Sequence, residues 1–540
     1  MSVRKTNVSI LAVLLVLLLT ATYWNHFDNG FHFDDYHTVV NNIYIRDIGN
    51  IPLIFNDAKT TSSLPLNQAY RPIITSLNTL DYWIAGSLNP KVFHWHIFVE
   101  FLILLGLFYL ILLKIFELAS GSKHYLAAMV GTAFFAFHTA TAETINYIIA
   151  RSDEFSTLMV LAGMLVYISN SGWKKQLGLI PFIIGCLAKP TTLMLAPLLF
   201  LYDLFLEPPS IFARDETARI FPKITSALKS TGVYFILGVA VYLFSRSMFS
   251  DTWSPGGHSR AAYLNTQPYV VWSYIKTFVL PVGLTADSDL TLIKDYLSPR
   301  TLWGLTVILI FLFVSWRAAL LRRTVPITFG VLWFFVALAP SSSFVPLAEV
   351  MNHHRTFFPY LGLVIAATWA SLLGYEGLLK KSTSRVIPWS TAIVIVIIIA
   401  AHAFGTYQRN NVWDNDESLW YDVTVKSPNN GRGLMNYGLS KMRKGEFNVA
   451  ISYFERALDT PYGRHPYLYT NLGIATNALA DETNDADLKK LAESYLKKAV
   501  RIGPGYSEPY FYYGRWLFQN SRSAEAIKYL KNARELSPAD

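Results

Sequence analysis

Apolar residues in this chain come in long, nearly continuous runs, not in the strict alternation of half-buried strands. A bilayer core about 30 Å thick needs about 20 mostly apolar residues per crossing helix. Eleven segments approach that requirement, centred near 8–23, 95–116, 125–140, 154–169, 177–188, 191–206, 230–248, 301–316, 325–340, 358–374 and 387–405. The fifth is short, and Pro181, Pro190 and Pro197 predict kinks in it and in its neighbour.

Beyond residue 407 the pattern becomes self-similar. Gly438, Ala450, Phe454 and Ala457 are spaced 12, 4 and 3 apart, and Gly514, Ala526, Leu530 and Ala533 repeat that spacing. Gly473, Ala492, Leu496 and Ala499 form a middle copy with an insertion around Asp481–Asp487. Small residues at such positions let two antiparallel helices approach closely, which is the tetratricopeptide pattern. The expectation is an all-α protein: a membrane domain over 1–407 with about eleven spans, then a helical-repeat domain over 408–540.

Composition agrees. Hydrophobic residues make up 52% and charged residues only 15%, against about 25% charged in an ordinary soluble protein. So few charges cannot cover a soluble surface, and a single cysteine, Cys186, excludes a disulfide scaffold. The net charge of +9 reflects loops that carry Lys114 and Lys123, then Lys174 and Lys175, then Arg214, Arg219, Lys223 and Lys229. Arg317, Arg322 and Arg323, and finally Lys380, Lys381 and Arg385, complete the series. Basic residues recurring in alternate loops set topology. They predict a cytoplasmic N-terminus (Arg4, Lys5) and an exported repeat domain, and they argue against a nucleic-acid partner. The first segment reads as a retained anchor, since Thr20–Ala21–Thr22 makes a poor cleavage site. The repeat domain contains no cysteine and no Asn-x-Ser/Thr acceptor, which favours a bacterial inner membrane with the repeats in the periplasm.

Candidate chemistry concentrates in the outward loops. Asp34–Asp35 follow the first span, and Tyr70–Arg71–Pro72 close the same loop. The second outward loop holds His138, Glu143, Arg151 and Asp153, the third Lys189, and the fifth Glu349 with His353–His354–Arg355. Adjacent carboxylates suit general-base work, because repulsion and desolvation raise the pKa of one; a solvated loop start or a helix cap is the plainer reading. Arg71, Arg151, Lys189 and Arg355 suit a lipid-borne phosphate, or serve singly as ion-pair partners and interface anchors. The His353–His354 spacing is no zinc signature, and no metal site or cofactor is expected. No nucleotide-binding fingerprint is present, so an outward site needs a donor delivered by the membrane. Tyr467, Tyr469, Tyr510, Tyr512 and Tyr513 are candidates for a peptide groove in the repeats, with packing as the alternative.

Taken in order, these residues resemble the transmembrane-and-tetratricopeptide O-mannosyltransferases, within the wider protein O-mannosyltransferase (GT-C) superfamily. The likeness rests on Asp34–Asp35, Tyr70–Arg71–Pro72, the stretch His138 to Asp153, Lys189–Pro190–Thr191 and His354–Arg355–Thr356–Phe357–Phe358–Pro359. The link Trp413–Asp414–Asn415–Asp416–Glu417–Ser418–Leu419–Trp420 into the repeats also fits. The resemblance implies a GT-C fold, a polyprenyl-phosphate-linked sugar donor and a protein acceptor recruited by the repeats. It implies that Asp34 or Asp35 deprotonates an acceptor hydroxyl in one inverting displacement. Asp35 is the expected base, with Asp34 orienting it or the sugar, and Arg355, Arg151, Arg71 and Lys189 are expected on the donor phosphate. His138, Glu143, Asp153 and His354 are further pocket candidates. Two departures are visible: only three full repeats, and Thr356–Phe357–Phe358 where the family usually has Tyr. A transferase for glycolipid or polysaccharide, a glycan ligase and a non-enzymatic membrane scaffold remain alternatives.

Overall fold

A computed structural model describes residues 5–207, 220–253, 259–342, 346–382, 384 and 386–537. Arg4, Arg214, Arg219 and Arg385, on which part of the expected orientation rests, lie outside the described residues. Among the described residues all regular structure is helical, with no strand. The chain divides into two units, one comprising Met1–Leu284 with Thr291–Asp414, the other Thr285–Leu290 with Asn415–Asp540.

The first unit begins with α1 (Lys5–Thr22), α2 (Ile51–Asn56), α3 (Pro72–Ala85), α4 (Pro90–Ser120) and α5 (Tyr125–Phe137). It continues through α6 (Ala142–Asn146), α7 (Arg151–Ser169), α8 (Leu179–Ala188), α9 (Leu195–Phe205) and α10 (Ile220–Ser247). Then come α11 (Arg260–Val279), α12 (Pro299–Ala319), α13 (Val325–Leu338), α14 (Phe357–Lys381) and α15 (Val386–Val412). Every segment expected to span the membrane is helical, but the count of eleven spans does not carry over directly. Among the described residues, five helices are long and apolar enough to cross: Pro90–Ser120, Phe221–Ser247, Pro299–Ala319, His353–Lys381 and Val386–Val412. A sixth appears if Tyr125–Phe137 and Thr139–Asn146, bent by 50°, count as one span. The reason is length. At 1.5 Å per residue the 10 residues of α8 and the 11 of α9 reach about 15 Å and about 17 Å, half of what a crossing needs. The molecule is a multi-pass membrane protein built from full spans and shorter helices.

Local sequence explains the helix ends. The Asn89 side chain caps α4 by accepting from Lys91 N–H, Pro90 supplies the first turn, and Gly121 ends the helix at φ 76°. Along α4 the residues Ile97, Phe101, Leu104, Phe108, Ile111 and Ile115 recur every three or four positions, and all are fully buried. Gly330 of α13 lies directly against Gly362 of α14, so these two helices touch backbone to backbone.

The second unit is a run of helices: α16 (Asp416–Lys426), α17 (Gly431–Arg443), α18 (Phe447–Leu458), α19 (Pro466–Thr483), α20 (Ala486–Ile502), α21 (Ser507–Gln519) and α22 (Ser523–Leu536). Asn415 opens α16 with a reciprocal capping box to Ser418. From α17 onward the helices pair. Gly438 faces Phe454, Gly473 faces Leu496, and Gly514 faces Leu530, so each small residue receives the large residue of its partner helix. Residues 285–290 fold with this unit: Asp287 Oδ2 accepts from Arg432 Nε at 2.7 Å, and the Ser288 carbonyl accepts from the Asn430 amide at 3.2 Å.

A Cβ on Gly473 would stand 2.6 Å from Leu496 Cγ. Gly473→Leu therefore forces α19 from α20 and is expected to cost about 1–3 kcal/mol, read as a lower unfolding temperature and faster proteolysis of the second unit in the full chain.

Candidate active site

The loop after α1 makes a tight turn at Phe33, whose φ of 48° is sterically unfavourable for a side chain larger than glycine's. The turn sends the two neighbouring acids in different directions. Asp35 is fully buried: its Oδ2 accepts the His32 N–H at 2.9 Å and its Oδ1 the Ile149 N–H at 2.8 Å. Burial pushes its carboxyl up to about 7, against the opposing pull of those two N–H donors. Asp34 points outward with its side chain 59% exposed. Its Oδ1 lies 3.3 Å from His37 Nε2, and its N–H donates to the Tyr147 hydroxyl at 3.1 Å. His37 is itself held by Ser62 Oγ at 2.9 Å on Nδ1 and by the Asn67 amide at 3.0 Å on Nε2. Tyr147 stacks on Trp413, and the Trp413 carbonyl meets His32 Nε2 at 2.7 Å. The expectation gave the base to Asp35, but the accessible carboxylate belongs to Asp34, since both oxygens of Asp35 are occupied by backbone donors.

Three of the four expected cations converge. Arg71 sits at the N-terminus of α3; burial lowers its pKa while the charges of Asp153 and Asp34 push it up. No hydrogen bond or ion pair joins the Arg71 guanidinium to another described residue. Lys189, in the break between α8 and α9, pairs with Asp153 at 2.6 Å. Burial lowers the Lys189 pKa, Asp153 raises it, and the charges of Arg71 and Arg355 lower it further. Arg355 donates to the Glu349 carbonyl at 2.8 Å and to its carboxylate at 3.3 Å. Asp153 is held below the ordinary carboxylate range: burial alone would raise it, but Lys189, His354 and Arg71 outweigh that. His354 Nδ1 and N–H both approach Glu143 Oε1 at 3.2 Å, tying the fifth outward loop to the second. Cations that disfavour one another's charge in a half-buried space form a receptor for an anion.

Arg151 is a correction. It is 1% exposed and saturated by acids: Nη1 meets Asp81 of α3 at 2.5 Å, while Nη2 and Nε meet Glu100 of α4 at 2.5 and 3.0 Å. With its charge neutralised twice inside the protein it has nothing left for a phosphate, and it bolts α3 and α4 to the start of α7. His138 is likewise removed from the pocket. It is buried, its Nε2 faces the Phe278 carbonyl at 3.0 Å, its Nδ1 accepts the Ala140 N–H, and its ring stacks on His402. His353 packs by Tyr274 while His354 turns to Glu143, so the two histidines diverge. Beside the span that starts at Pro90, His96 pairs with Asp81, and His94 is buried against His26.

In the second unit the tyrosine candidates separate. Tyr469 and Tyr513 are buried in the helix-pair cores, where Tyr513 also donates to Glu493 at 3.2 Å, so these two are packing residues. Tyr467 is partly exposed and donates to Glu508 at 3.0 Å. Tyr510 and Tyr512 are partly buried, with Tyr510 close to Tyr529 and Tyr512 against Phe511.

Several site residues escaped the sequence reading. His37 stands three positions after Asp34, a spacing that signals contact on one helical turn. Glu100 and Asp81 were detectable as acids inside apolar helices, a costly placement that demands a partner. Nothing in the sequence pattern marks Tyr147 as the residue behind the acidic turn.

No protein-family model matches the chain. It is 22% identical over 577 residues to protein O-mannosyl-transferase TMTC3 of Homo sapiens, covering 97% of this chain and 60% of that protein. The Drosophila melanogaster Tmtc3 is 22% identical over 522 residues, 81% of this chain and 53% of that protein. Human TMTC1 is 24% identical over 545 residues, 87% and 57% respectively. The chain thus spans about 60% or less of the length of these relatives. Along nearly its whole length the chain is similar to the TMTC protein O-mannosyl-transferases.

Proposed function

We propose that this protein is an integral-membrane glycosyltransferase that moves a sugar from a polyprenyl-phosphate donor to Ser or Thr of exported proteins. The observation that carries the reading is the exposed Asp34 carboxylate whose charge acts on Arg71, which in turn acts on Lys189 along with Arg355, all from separate stretches of the chain. The relatives' names support protein O-glycosylation. Alternating basic loops support a site and a repeat unit on the extracytoplasmic side. A bacterial inner membrane fits the absence of cysteine and of Asn-x-Ser/Thr in 408–540.

In this reading the acceptor hydroxyl gives its proton to Asp34 as its oxygen attacks the anomeric carbon. The bond from that carbon to the phosphate oxygen breaks, and the electron pair leaves with the lipid phosphate, whose charge meets Arg71, Lys189 and Arg355. The sugar inverts in a single displacement. His37 orients the carboxylate, and Asp35 holds the turn that presents it. The repeat unit recruits the acceptor, with Tyr467, Tyr510 and Tyr512 as its contact candidates.

Three outcomes test this. Asp34→Asn is expected to lower turnover by at least about a hundredfold with wild-type donor binding and unfolding temperature. Asp35→Asn instead sets an amide N–H₂ against a backbone N–H and lowers stability along with activity. Normal transfer by both variants in membranes would remove the acidic pair from catalysis.

Arg71→Ala is expected to weaken donor binding by roughly tenfold or more while leaving stability unchanged. Arg151→Ala strands two buried carboxylates and is expected to cost about 3–5 kcal/mol of stability. A thermal-shift series with and without donor separates the two.

The Lys189 charge, lowered by burial and its basic neighbours, is lost at a lower pH than an ordinary lysine's. Donor affinity should therefore fall as pH rises through the alkaline range, and Lys189→Arg should flatten that fall. A donor titration across pH checks it; an identical profile for the arginine variant removes Lys189 from the phosphate site.

A further inference from the structure

At the end of α4 remote from the candidate active site, a cavity of about 530 Å³ opens among helix ends. From Glu100 to Glu117 the helix rises about 25 Å, so the two places lie toward opposite faces of the bilayer. The cavity is lined by Lys114, Glu117 and Leu118 of α4, Ile168 of α7, Tyr202 of α9 and Arg322 just after α12. Helices α4 and α12 are two of the five full-length apolar spans, ending at Ser120 and Ala319. A cavity at those ends sits at headgroup depth. Its volume is that of a small-molecule site.

The lining is charged, and three of its polar groups have no partner among the described residues. Lys114 and Glu117 are both half-buried, one helical turn apart, yet no hydrogen bond or ion pair joins either side chain, or the Tyr202 hydroxyl, to another described residue. The last carbonyls of α4 add the negative end of a helix dipole, and Gly121 closes the helix beside them. Cations on one part of a cavity, and a carboxylate with helix carbonyls on another, complement a zwitterion. Leu118 and Ile168 supply an apolar surface for what is attached to it.

We propose that this cavity binds a phosphoethanolamine group. The phosphodiester is held by Lys114, Arg322 and the Tyr202 hydroxyl, and the primary ammonium by Glu117 and the α4 carbonyls. A phosphoglycerol group would set its hydroxyls, with no positive charge, against Glu117. A phosphocholine group carries no N–H to donate to the carboxylate or the carbonyls. The depth of the cavity favours a phospholipid of the leaflet opposite the active site as the source, and free glycerophosphoethanolamine shares the same chemistry.

The test uses delipidated full-length protein titrated with phosphatidylethanolamine, phosphatidylcholine and phosphatidylglycerol of identical acyl chains, with bound lipid counted by native mass spectrometry. One phosphatidylethanolamine is expected to bind roughly tenfold more tightly than either competitor. Lys114→Ala should weaken it about tenfold, and Glu117→Gln should abolish the preference over phosphatidylglycerol. Competition by glycerophosphoethanolamine supports the site with a headgroup sufficient by itself; lipid selectivity without that competition supports it with the lipid as source. Equal binding of the three lipids by the wild-type protein overturns the proposal without recourse to any variant. Unchanged selectivity in a Glu117→Gln protein that unfolds at the wild-type temperature overturns it too.

Discussion

The candidate site depends on one buried ion cluster. Arg151 opens α7, and its guanidinium is shared between Asp81 of α3 and Glu100 of α4, with His96 on the far side of Asp81. A guanidinium at this depth is tolerated only when its charge is matched and its donors are filled. Matching it requires all three helices in one arrangement. That arrangement sets the residue that caps the start of α3 and the first turn of α7, where Arg71 and Asp153 stand. Lys189 follows Asp153, and Arg355 follows through the Glu143–His354 tie. Removing the cluster would loosen every cation of the site without touching one of them.

A second constraint separates the two acids. Two neighbouring carboxylates cannot both be accessible here, because the positive φ at Phe33 and the backbone donors from His32 and Ile149 draw Asp35 inward. Its neighbour is then presented outward by construction, with Tyr147 on its backbone and His37 on its side chain. Like-charge repulsion between the acids is reduced because the buried one, raised to about 7, is substantially protonated near neutral pH. A pair that looks redundant in the chain divides into a buried fastening and an accessible carboxylate.

Much of this was legible in the sequence. Helix after helix was announced by apolar runs, and the small–large alternation of Gly438 with Phe454, Gly473 with Leu496 and Gly514 with Leu530 forecast the helix pairs. Arg71, Asp153, Lys189, Glu143, His354 and Arg355 were candidates because they stand at or near the ends of apolar runs, and ion pairs and mutual charge effects link several of them. Partnership was the part that was not legible. Arg151 and Arg71 carry the same charge in similar surroundings, and only the fold reveals that one faces two acids and the other none within pairing distance. His138 misled for the same reason, since a polar residue in an outward loop turned out to cap and pack a bend. Not every apolar run is one long helix, because hydropathy reads composition and not length: α8 and α9 are separated at Lys189–Met194 by the turn that carries the lysine.

That interruption has a physical rationale. A continuous helix would carry Lys189 along a cylinder inside apolar surroundings, where an ammonium is expensive and badly aimed. Breaking the helix frees backbone groups, which is tolerable at membrane depth only inside protein or beside a polar space. Here the break is lined by the Ser156–Thr191 hydroxyl contact and by the Lys189–Asp153 pair. The same polar space satisfies the loose backbone and receives the lysine. The three clustered cations are therefore more than an accident of loop composition. Lys189 is half-buried, with Asp153 supporting its charge and Arg71 and Arg355 acting against it.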